Sequence, residues 1–122
     1  MRVTPGCDSI NSFVISAAPN IQYYPDVAFD GGNYLVVWSD GRNSYYYRIY
    51  AARVTPGGAV LEPGGIAVGP TNNLYHYYPA VAFGGTRFFV VWAYGTSPYT
   101  VMGRFVNTNG SVGDTVSIVI PA

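Results

Sequence analysis

The sequence carries little charge, and neither sign dominates. Lysine and arginine together number 6, aspartate and glutamate together number 6, and the formal net charge is zero. Charged residues make up 10% of the chain, against roughly a quarter in an average soluble domain. Because binding to a phosphate backbone depends on clustered positive charge, nucleic acid is not expected as a partner.

Cysteine and long hydrophobic runs are also scarce. Cys7 is the single cysteine, so the chain cannot form an internal disulfide. No apolar stretch approaches the roughly 18 residues of a membrane-spanning helix, and no membrane insertion is expected. The first residues, Met1–Gly6, lack the apolar core of a signal peptide, so the sequence leaves the compartment unassigned.

Tyrosine, by contrast, is abundant. Aromatic residues make up 16% of the chain, and 12 residues are tyrosines. With so few charges, the surface must consist largely of tyrosine, serine, threonine, asparagine and glycine. Such a neutral and adhesive surface suits contacts with carbohydrate, with other proteins or with further copies of the same chain.

The strongest pattern is an internal repeat. The segment Tyr23–Phe29 returns as Tyr77–Phe83, and Val36–Trp38 returns as Val90–Trp92, both 54 residues later. Further along, Arg53-Val54 is aligned with Arg104-Phe105, at a spacing of 51 residues. The change in spacing assigns the length differences between the two copies to loops.

A third, partial copy is predicted at the N-terminus. Arg2–Gly6 repeats Arg53–Gly57 residue for residue, and Phe13–Ile15 then stands where Ile66–Val68 stands. The chain is therefore divided into a partial repeat over 1–22 and two full, blade-like repeats over 23–76 and 77–122.

Each full repeat is predicted to form four β-strands. The 15 glycines and 9 prolines, together with the lack of a sustained 3.6-residue period, argue against helix. Glycine-rich and Pro-Gly segments mark the turns, including one at 39–43. The predicted strands are Asp26–Phe29, Tyr34–Trp38, Tyr46–Val54 and Ile66–Val68 in the first repeat, and Ala80–Phe83, Arg87–Ala93, Val101–Val106 and Val116–Ile120 in the second.

The second strand of each repeat indicates how the sheets are covered. The run Tyr34–Trp38 is apolar at every position rather than at alternate positions. A strand with one face in water would alternate, so both faces of this sheet are expected to be covered, and Trp38 and Trp92 are expected in the core. The blades of a propeller, which are sheets packed face to face around an axis, meet this requirement.

The repeat as a whole resembles the tandem repeats of bacterial surface and secreted β-propeller proteins. The resemblance rests on the run Pro-x-Val-Ala-Phe-x-Gly, the Val-Val-Trp strand and the segment Ala-Arg-Val-Thr-Pro-Gly-Gly. It implies an all-β fold of antiparallel four-stranded blades, and a parent protein that is secreted or displayed on the cell surface. It implies no particular activity.

Two blades and a fraction cannot close a ring, because propellers have about four to eight blades. Completion by oligomerisation, with three copies supplying six blades, is the favoured prediction. The alternatives are a fragment of a longer propeller and a sandwich-like dimer.

Two sets of recurring residues are candidates for ligand binding. The Tyr-Tyr pairs combine aromatic faces with hydroxyl groups, as sugar and protein recognition requires. A repeated arginine within apolar strands must meet a carboxylate, carbonyl groups or a ligand. The candidate residues are Tyr23, Tyr24, Tyr77, Tyr78, Arg53 and Arg104. The alternatives are packing between blades for the tyrosines and a structural hydrogen-bond hub for the arginines.

No catalytic or metal motif stands out, so the protein is predicted to be a non-enzyme without a cofactor. Asp26, Asp30 and Asp40 lie in or beside predicted turns, and no motif sets the separation that paired catalytic carboxylates need. His76, the one histidine, has no partner at metal-ligand spacing and is predicted in a loop. The loop that starts at Asp40 lacks the alternating oxygen ligands of a calcium site.

Three functional hypotheses follow. The first is a binding module with repeated shallow sites for glycans or a protein surface, which would gain avidity on multivalent ligands. The second is a structural repeat fragment without a ligand of its own. The third is a hydrolase whose asymmetric site uses Asp40 or His76.

Overall fold

The computed structural model describes residues 12–42, 46–70, 75–95 and 99–118. These residues form eight strands and connecting turns, which confirms the predicted all-β class, and they include no helix that could cross a membrane. The strands build two antiparallel four-stranded sheets, neither of which closes on itself. Sheet A contains β1 (Gln22–Phe29), β2 (Tyr34–Asp40), β3 (Arg48–Val54) and β4 (Ile66–Ala67), and sheet B contains β5 (His76–Phe83), β6 (Arg87–Tyr94), β7 (Thr100–Asn107) and β8 (Val112–Ile118), each sheet in this order.

Strands β1 and β5 begin earlier than predicted and carry the Tyr-Tyr-Pro segment inside the strand. The β1–β2 ladder shifts between Tyr23 and Asp26, and the β5–β6 ladder shifts between Tyr77 and Ala80. Such a bulge on an edge strand accommodates a proline, which has no N–H group to donate. The predicted start of the first strand at Asp26, after Pro25, is therefore wrong, because the strand continues through the bulge.

Other strand ends also differ from the prediction. Asp40, predicted in a turn, is the last residue of β2 and pairs with Arg48 of β3. Tyr46, predicted to start β3, precedes it and packs on Tyr75 instead. Strand β8 begins at Val112, four residues before its predicted start, and the last two residues of the prediction lie outside the described residues.

The hairpin between β1 and β2 has the turn chemistry that its composition predicts. The Oδ1 atom of Asp30 accepts hydrogen bonds from the backbone N–H groups of Gly32 and Asn33, both at 2.7 Å. Gly31 has a φ of 98°, which a residue with a side chain would adopt only with strain. Asp30 is thus a turn residue, as expected.

The two sheets pack face to face, and the main core lies between them. The inner face of sheet A supplies Leu35, Val37, Ile49 and Ala51, and the inner face of sheet B supplies Phe88, Val90, Trp92 and Val106. All eight side chains are buried. Burial of this apolar surface is the main contribution to stability.

The outer face of sheet A carries a second, smaller cluster. Trp38, Tyr50 and Ala52 are buried there, and Ile15 of the N-terminal segment packs against them. The outer face of strand β2 is covered at its Trp38 end, whereas Tyr34 is 41% exposed and Val36 is half-buried. The predicted coverage of both faces is therefore confirmed only in part. The first half of the predicted partial repeat, residues 1–11, lies outside the described residues.

The ladder registers show that Arg53 and Arg104 are not equivalent. Arg53 lies opposite Leu35, whereas Arg104 lies opposite Val90. The repeat relates Leu35 to Phe89, and Phe89 pairs with Phe105. Arg53 therefore occupies the position of Phe105, one residue away from the position of Arg104. A shift of one residue turns a strand side chain to the opposite face of the sheet. The predicted alignment of the two arginines is therefore wrong, and they point from the two sheets towards each other.

Candidate functional site

Among the described residues, eight tyrosines form one continuous surface at the end of the two sheets where β1, β3, β5 and β7 begin. We call it the tyrosine surface. Each ring lies within 6.3 Å, centroid to centroid, of at least one other ring of the set. Its members are Tyr23, Tyr24, Tyr46, Tyr47, Tyr75, Tyr77, Tyr78 and Tyr99.

Half-buried rings at the centre join the two sheets. Tyr23 of β1 meets Tyr47 edge-on at 5.1 Å, and Tyr47 lies 6.3 Å from Tyr77 of β5. Tyr75 and Tyr77 are stacked at 5.6 Å with an interplanar angle of 8°. These offset and edge-on arrangements are the favourable ones for aromatic pairs. The packing role considered for the recurring tyrosines therefore applies to Tyr23 and Tyr77.

Tyr24 and Tyr78, the second tyrosine of each pair, project into solvent instead. Their side chains are 44% and 59% exposed, and their rings lie 4.7 Å apart. Both residues have a positive φ, 56° and 53°, and each precedes a proline. A bulky residue in this conformation costs about 1–3 kcal/mol. The bulge thus displays the same ring from both sheets in a strained backbone conformation.

The hydroxyl groups of Tyr23, Tyr24 and Tyr77 remain protonated at neutral pH. Burial, and then a hydrogen bond with Tyr47, raises the pKa of Tyr23. A hydrogen bond with Tyr78 raises the pKa of Tyr24, and burial raises that of Tyr77. A protonated hydroxyl can both donate and accept a hydrogen bond. The surface therefore combines aromatic faces with neutral polar groups.

The two candidate arginines lie elsewhere and connect structural elements. Arg53 binds the carboxylate of Glu62 through Nε and Nη2, at 2.9 and 2.6 Å, and donates through Nη1 to the Thr108 carbonyl oxygen of sheet B. Arg104 donates to the carbonyl oxygens of Gly113 and of Val68, the latter in the segment after β4. Each arginine thus bridges the two sheets.

Neither arginine belongs to the tyrosine surface. Arg53 is six residues beyond Tyr47 along β3, which corresponds to roughly 20 Å. Arg104 is five residues beyond Tyr99 along β7, roughly 16 Å away. Their contacts match the hydrogen-bond hub that the sequence left open, and a ligand-binding role for them stays a prediction.

His76 was predicted in a loop, and this prediction is wrong. It is the first residue of β5 and is 1% exposed. Its Nδ1 atom accepts a hydrogen bond of 2.9 Å from the indole N–H of Trp92. Its carbonyl oxygen accepts one of 2.8 Å from the hydroxyl of Ser39 on sheet A. Burial, with a smaller effect from Arg48, lowers the pKa of His76 from 6.5 to about 4. The imidazole is therefore neutral at neutral pH.

Asp40 is the hydrogen-bond acceptor for the tryptophan of sheet A, as His76 is for the tryptophan of sheet B. Its Oδ2 atom accepts from the indole N–H of Trp38 at 2.8 Å, and both carboxylate oxygens bind Arg42. Burial alone would raise the pKa of Asp40, but the hydrogen bonds from Arg42 and Trp38 outweigh it and the pKa is lowered. The sequence did not indicate that each tryptophan has a different buried acceptor.

The three aspartates considered in the sequence analysis each have a hydrogen-bond partner in the structure. Asp26 accepts a hydrogen bond of 3.0 Å from the backbone N–H of Val81, Asp30 stabilises a turn, and Asp40 is held by Arg42. Among the described residues, no three His, Cys, Asp or Glu side chains could hold a metal ion together.

A groove of about 510 Å³ lies on the outer face of sheet A. Its walls are mostly apolar and include Phe13, Ile15, Val27, Tyr34 and Val36. The groove is on the face of the sheet, whereas the tyrosine surface is at its end.

Comparison of the chain with models of protein families, with curated proteins and with solved structures gave no match.

Proposed function

We propose that this protein is a non-enzymatic, β-propeller-type binding module whose tyrosine surface binds neutral glycans. The single observation that carries the proposal is the exposed pair of Tyr24 and Tyr78. The same ring is displayed by both sheets, in the same strained backbone conformation. Strain of this kind is retained where the surrounding structure holds it, and it clusters at ligand-binding sites.

The chemistry of the surface favours a sugar over a charged ligand. The apolar face of a pyranose ring packs against an aromatic ring, and its hydroxyl groups exchange hydrogen bonds with tyrosine hydroxyls. The raised pKa values of Tyr23, Tyr24 and Tyr77 keep these hydroxyls uncharged. A neutral oligosaccharide long enough to span two rings 4.7 Å apart would contact Tyr24 and Tyr78 together.

The blade-type architecture is part of the same proposal. Each sheet has four antiparallel strands in sequence order, and the two sheets stack face to face with β1 beside β5. Successive blades of a propeller are arranged in this way around their axis. On this interpretation, the tyrosine surface occupies one end of each blade, and every added blade would extend it.

The proposal is tested by probing an array of immobilised neutral oligosaccharides and then titrating the best ligand in a calorimeter. We expect the double variant Tyr24→Ala/Tyr78→Ala to bind at least about tenfold more weakly, since exposed aromatic anchors typically contribute more than about 1 kcal/mol. Tyr24→Phe/Tyr78→Phe should retain part of the affinity, because the rings remain.

Leu61→Ala is the matched control. Leu61 is exposed to a similar extent as Tyr24 but follows the opposite end of β3. The control should bind like the unchanged protein. An array without any bound oligosaccharide, or equal affinity of the double alanine variant, would contradict the proposal and favour a structural repeat without a ligand.

A further inference from the structure

The residues of the two packed inner faces have counterparts, through the 54-residue repeat, on the two outer faces. The repeat relates Val36 on the outer face of sheet A to Val90 on the inner face of sheet B. It also relates Leu35 on the inner face of sheet A to Phe89 on the outer face of sheet B. The two outer faces are therefore the sequence counterparts of the two inner faces that already pack together.

Among the described residues, Asp26, Ser39, Arg53 and Arg104 each make a side-chain hydrogen bond to the backbone of the other sheet or of the segment after β4 across the internal interface. The residues at the corresponding outer positions follow from the ladder registers and are Ala80, Ala93, Phe105 and Ala52. Each polar group is thus replaced by an apolar one on the matching outer face. The two outer faces can therefore join without burying a charge at any of these four positions. Burial of an unpaired charge is the usual barrier to such contacts.

Both outer faces present apolar side chains. On sheet A the groove of about 510 Å³ is lined by Val27, which is 52% exposed, and by the exposed ring of Tyr34. On sheet B the rings of Phe89 and Phe105 lie 4.7 Å apart, and Arg87 covers Phe105 at 3.4 Å. An apolar groove on one face therefore corresponds to a pair of aromatic rings on the other.

We propose that a second copy of this chain docks the outer face of its sheet B onto the outer face of sheet A. The occupant is a second copy because the chain itself carries both halves of the interface and shows how they fit. The contact is head-to-tail, so it builds either a closed ring or an open chain of copies. The proposal does not depend on what the tyrosine surface binds, because the two faces lie elsewhere on the sheets.

The N-terminal segment occupies part of this interface in the single chain. Ile15 packs on Trp38, Tyr50 and Ala52, and by the repeat it corresponds to Val68. In sheet B, the residue at the position of Val68 is Ile118. Residues 12–16 are not part of either sheet's ladders. In the proposed contact, the incoming copy displaces this segment and places its own strand β8 there.

The test uses two single variants that each block one face. Val27→Glu places a charge in the groove on sheet A, and Phe89→Glu places one at the centre of the outer face of sheet B. The particle mass is measured by light scattering after size-exclusion chromatography, for the unchanged protein, each variant and their equimolar mixture. Leu61→Glu, at a similarly exposed site that does not line the groove, is the control.

We expect the unchanged protein and Leu61→Glu to run as a multiple of the 13.2 kDa chain mass. Each blocking variant should run as a single chain. Their mixture should form a one-to-one dimer, because each variant retains the face that the other lacks. A face-to-face contact between identical surfaces would not be restored by mixing.

Two results would overturn the proposal: an unchanged protein that stays a single chain, or a mixture of folded variants that stays monomeric. Circular dichroism verifies that each variant is folded. If one is not, Tyr34→Glu replaces Val27→Glu, and Val116→Glu, at an exposed position of the outer face of sheet B, replaces Phe89→Glu. Because mass is read without a ligand, failure of assembly and failure of glycan binding are distinguishable.

Discussion

Replacing Asp40 by alanine is expected to destabilise the protein by about 3–5 kcal/mol, because it removes the partner of a buried charge and of a buried indole. The side chain of Asp40 is fully buried, and that of Arg42 is 17% exposed. The variant would leave the guanidinium of Arg42 with the Gly64 carbonyl oxygen and the ring of Tyr50 as its remaining contacts. It would also leave the indole N–H of Trp38 without its acceptor.

The measurement is urea unfolding followed by circular dichroism at pH 7.5. A domain of this size has only about 5–15 kcal/mol of stability, so the midpoint should fall by a large fraction. The free energy of unfolding of Asp40→Asn should lie between those of Asp40→Ala and the unchanged protein. The amide oxygen can still accept one hydrogen bond, but the side chain no longer carries the charge.

Glu62→Ala is the matched control, because Glu62 binds Arg53 with the same set of hydrogen bonds. Its carboxylate accepts from Nε, from Nη2 and from the backbone N–H of Arg53. The two arginines are similarly exposed, but the Glu62 carboxylate is 22% exposed against 0% for Asp40. The loss for Glu62→Ala is therefore expected to be smaller, because water can reach the groups that lose their partner. Equal losses for Asp40→Ala and Glu62→Ala would show that burial of the Asp40 carboxylate is not the cause.

Acidification is expected to remove roughly 3 kcal/mol of stability between pH 6.5 and pH 4 through His76 alone. The pKa of His76 is about 4 in the folded protein and 6.5 as its ordinary value. Within this window the unfolded chain binds a proton on His76 and the folded protein does not. The free energy of unfolding therefore falls as the pH falls, and it levels off below pH 4 once both states are protonated.

The carboxylate of Asp40 acts in a different window. Its pKa is lowered from 3.8, so its contribution to stability is present above that value and is lost as the pH falls below it. The two losses should appear as separate steps in a plot of unfolding free energy against pH, with the His76 step at the higher pH.

The experiment compares urea unfolding at pH 7.5, 6, 5 and 4.5 for the unchanged protein and for His76→Gln. Glutamine is the matched substitution, because Gln22 occupies the position of His76 in the first repeat and its side chain does not titrate. The variant should lose the slope between pH 6.5 and 4. Since His76 is the single histidine, its pKa is also read directly from the imidazole resonances by NMR. A pKa near 6.5, or an unchanged slope in the variant, would refute the prediction.

Several features of the fold were predictable because they depend on patterns repeated along the strand. The apolar run that ends at Trp38 indicated a strand with apolar side chains on both faces, and the turn at Asp30 followed from its Asp-Gly-Gly-Asn composition. The start of β1 was not predictable in the same way. A proline after two tyrosines is typical of a turn, and only pairing with β2 shows that the strand continues through a bulge.

The candidate site was predictable in composition but not in arrangement. Both Tyr-Tyr pairs were recognisable in the sequence. However, Tyr23 packs between the sheets and Tyr24 faces solvent, and the sequence does not distinguish these two positions. That difference arises from the positive φ at the second tyrosine of the bulge. Arg53 and Arg104 were aligned by similarity, whereas their faces depend on register, which a local alignment does not contain.

Composition and the order of residues along the chain are enough to give the class of structure: an all-β chain with a repeat at 54 residues, rich in tyrosine and poor in charge. These properties depend on neighbours along the chain. The roles of His76 and Asp40 as buried acceptors of Trp92 and Trp38, and the faces of the sheets that stay open, emerge only when the strands pair and the sheets pack. These are contacts between residues on different strands or sheets, and their energies depend on burial and register, which exist only once the strands have paired.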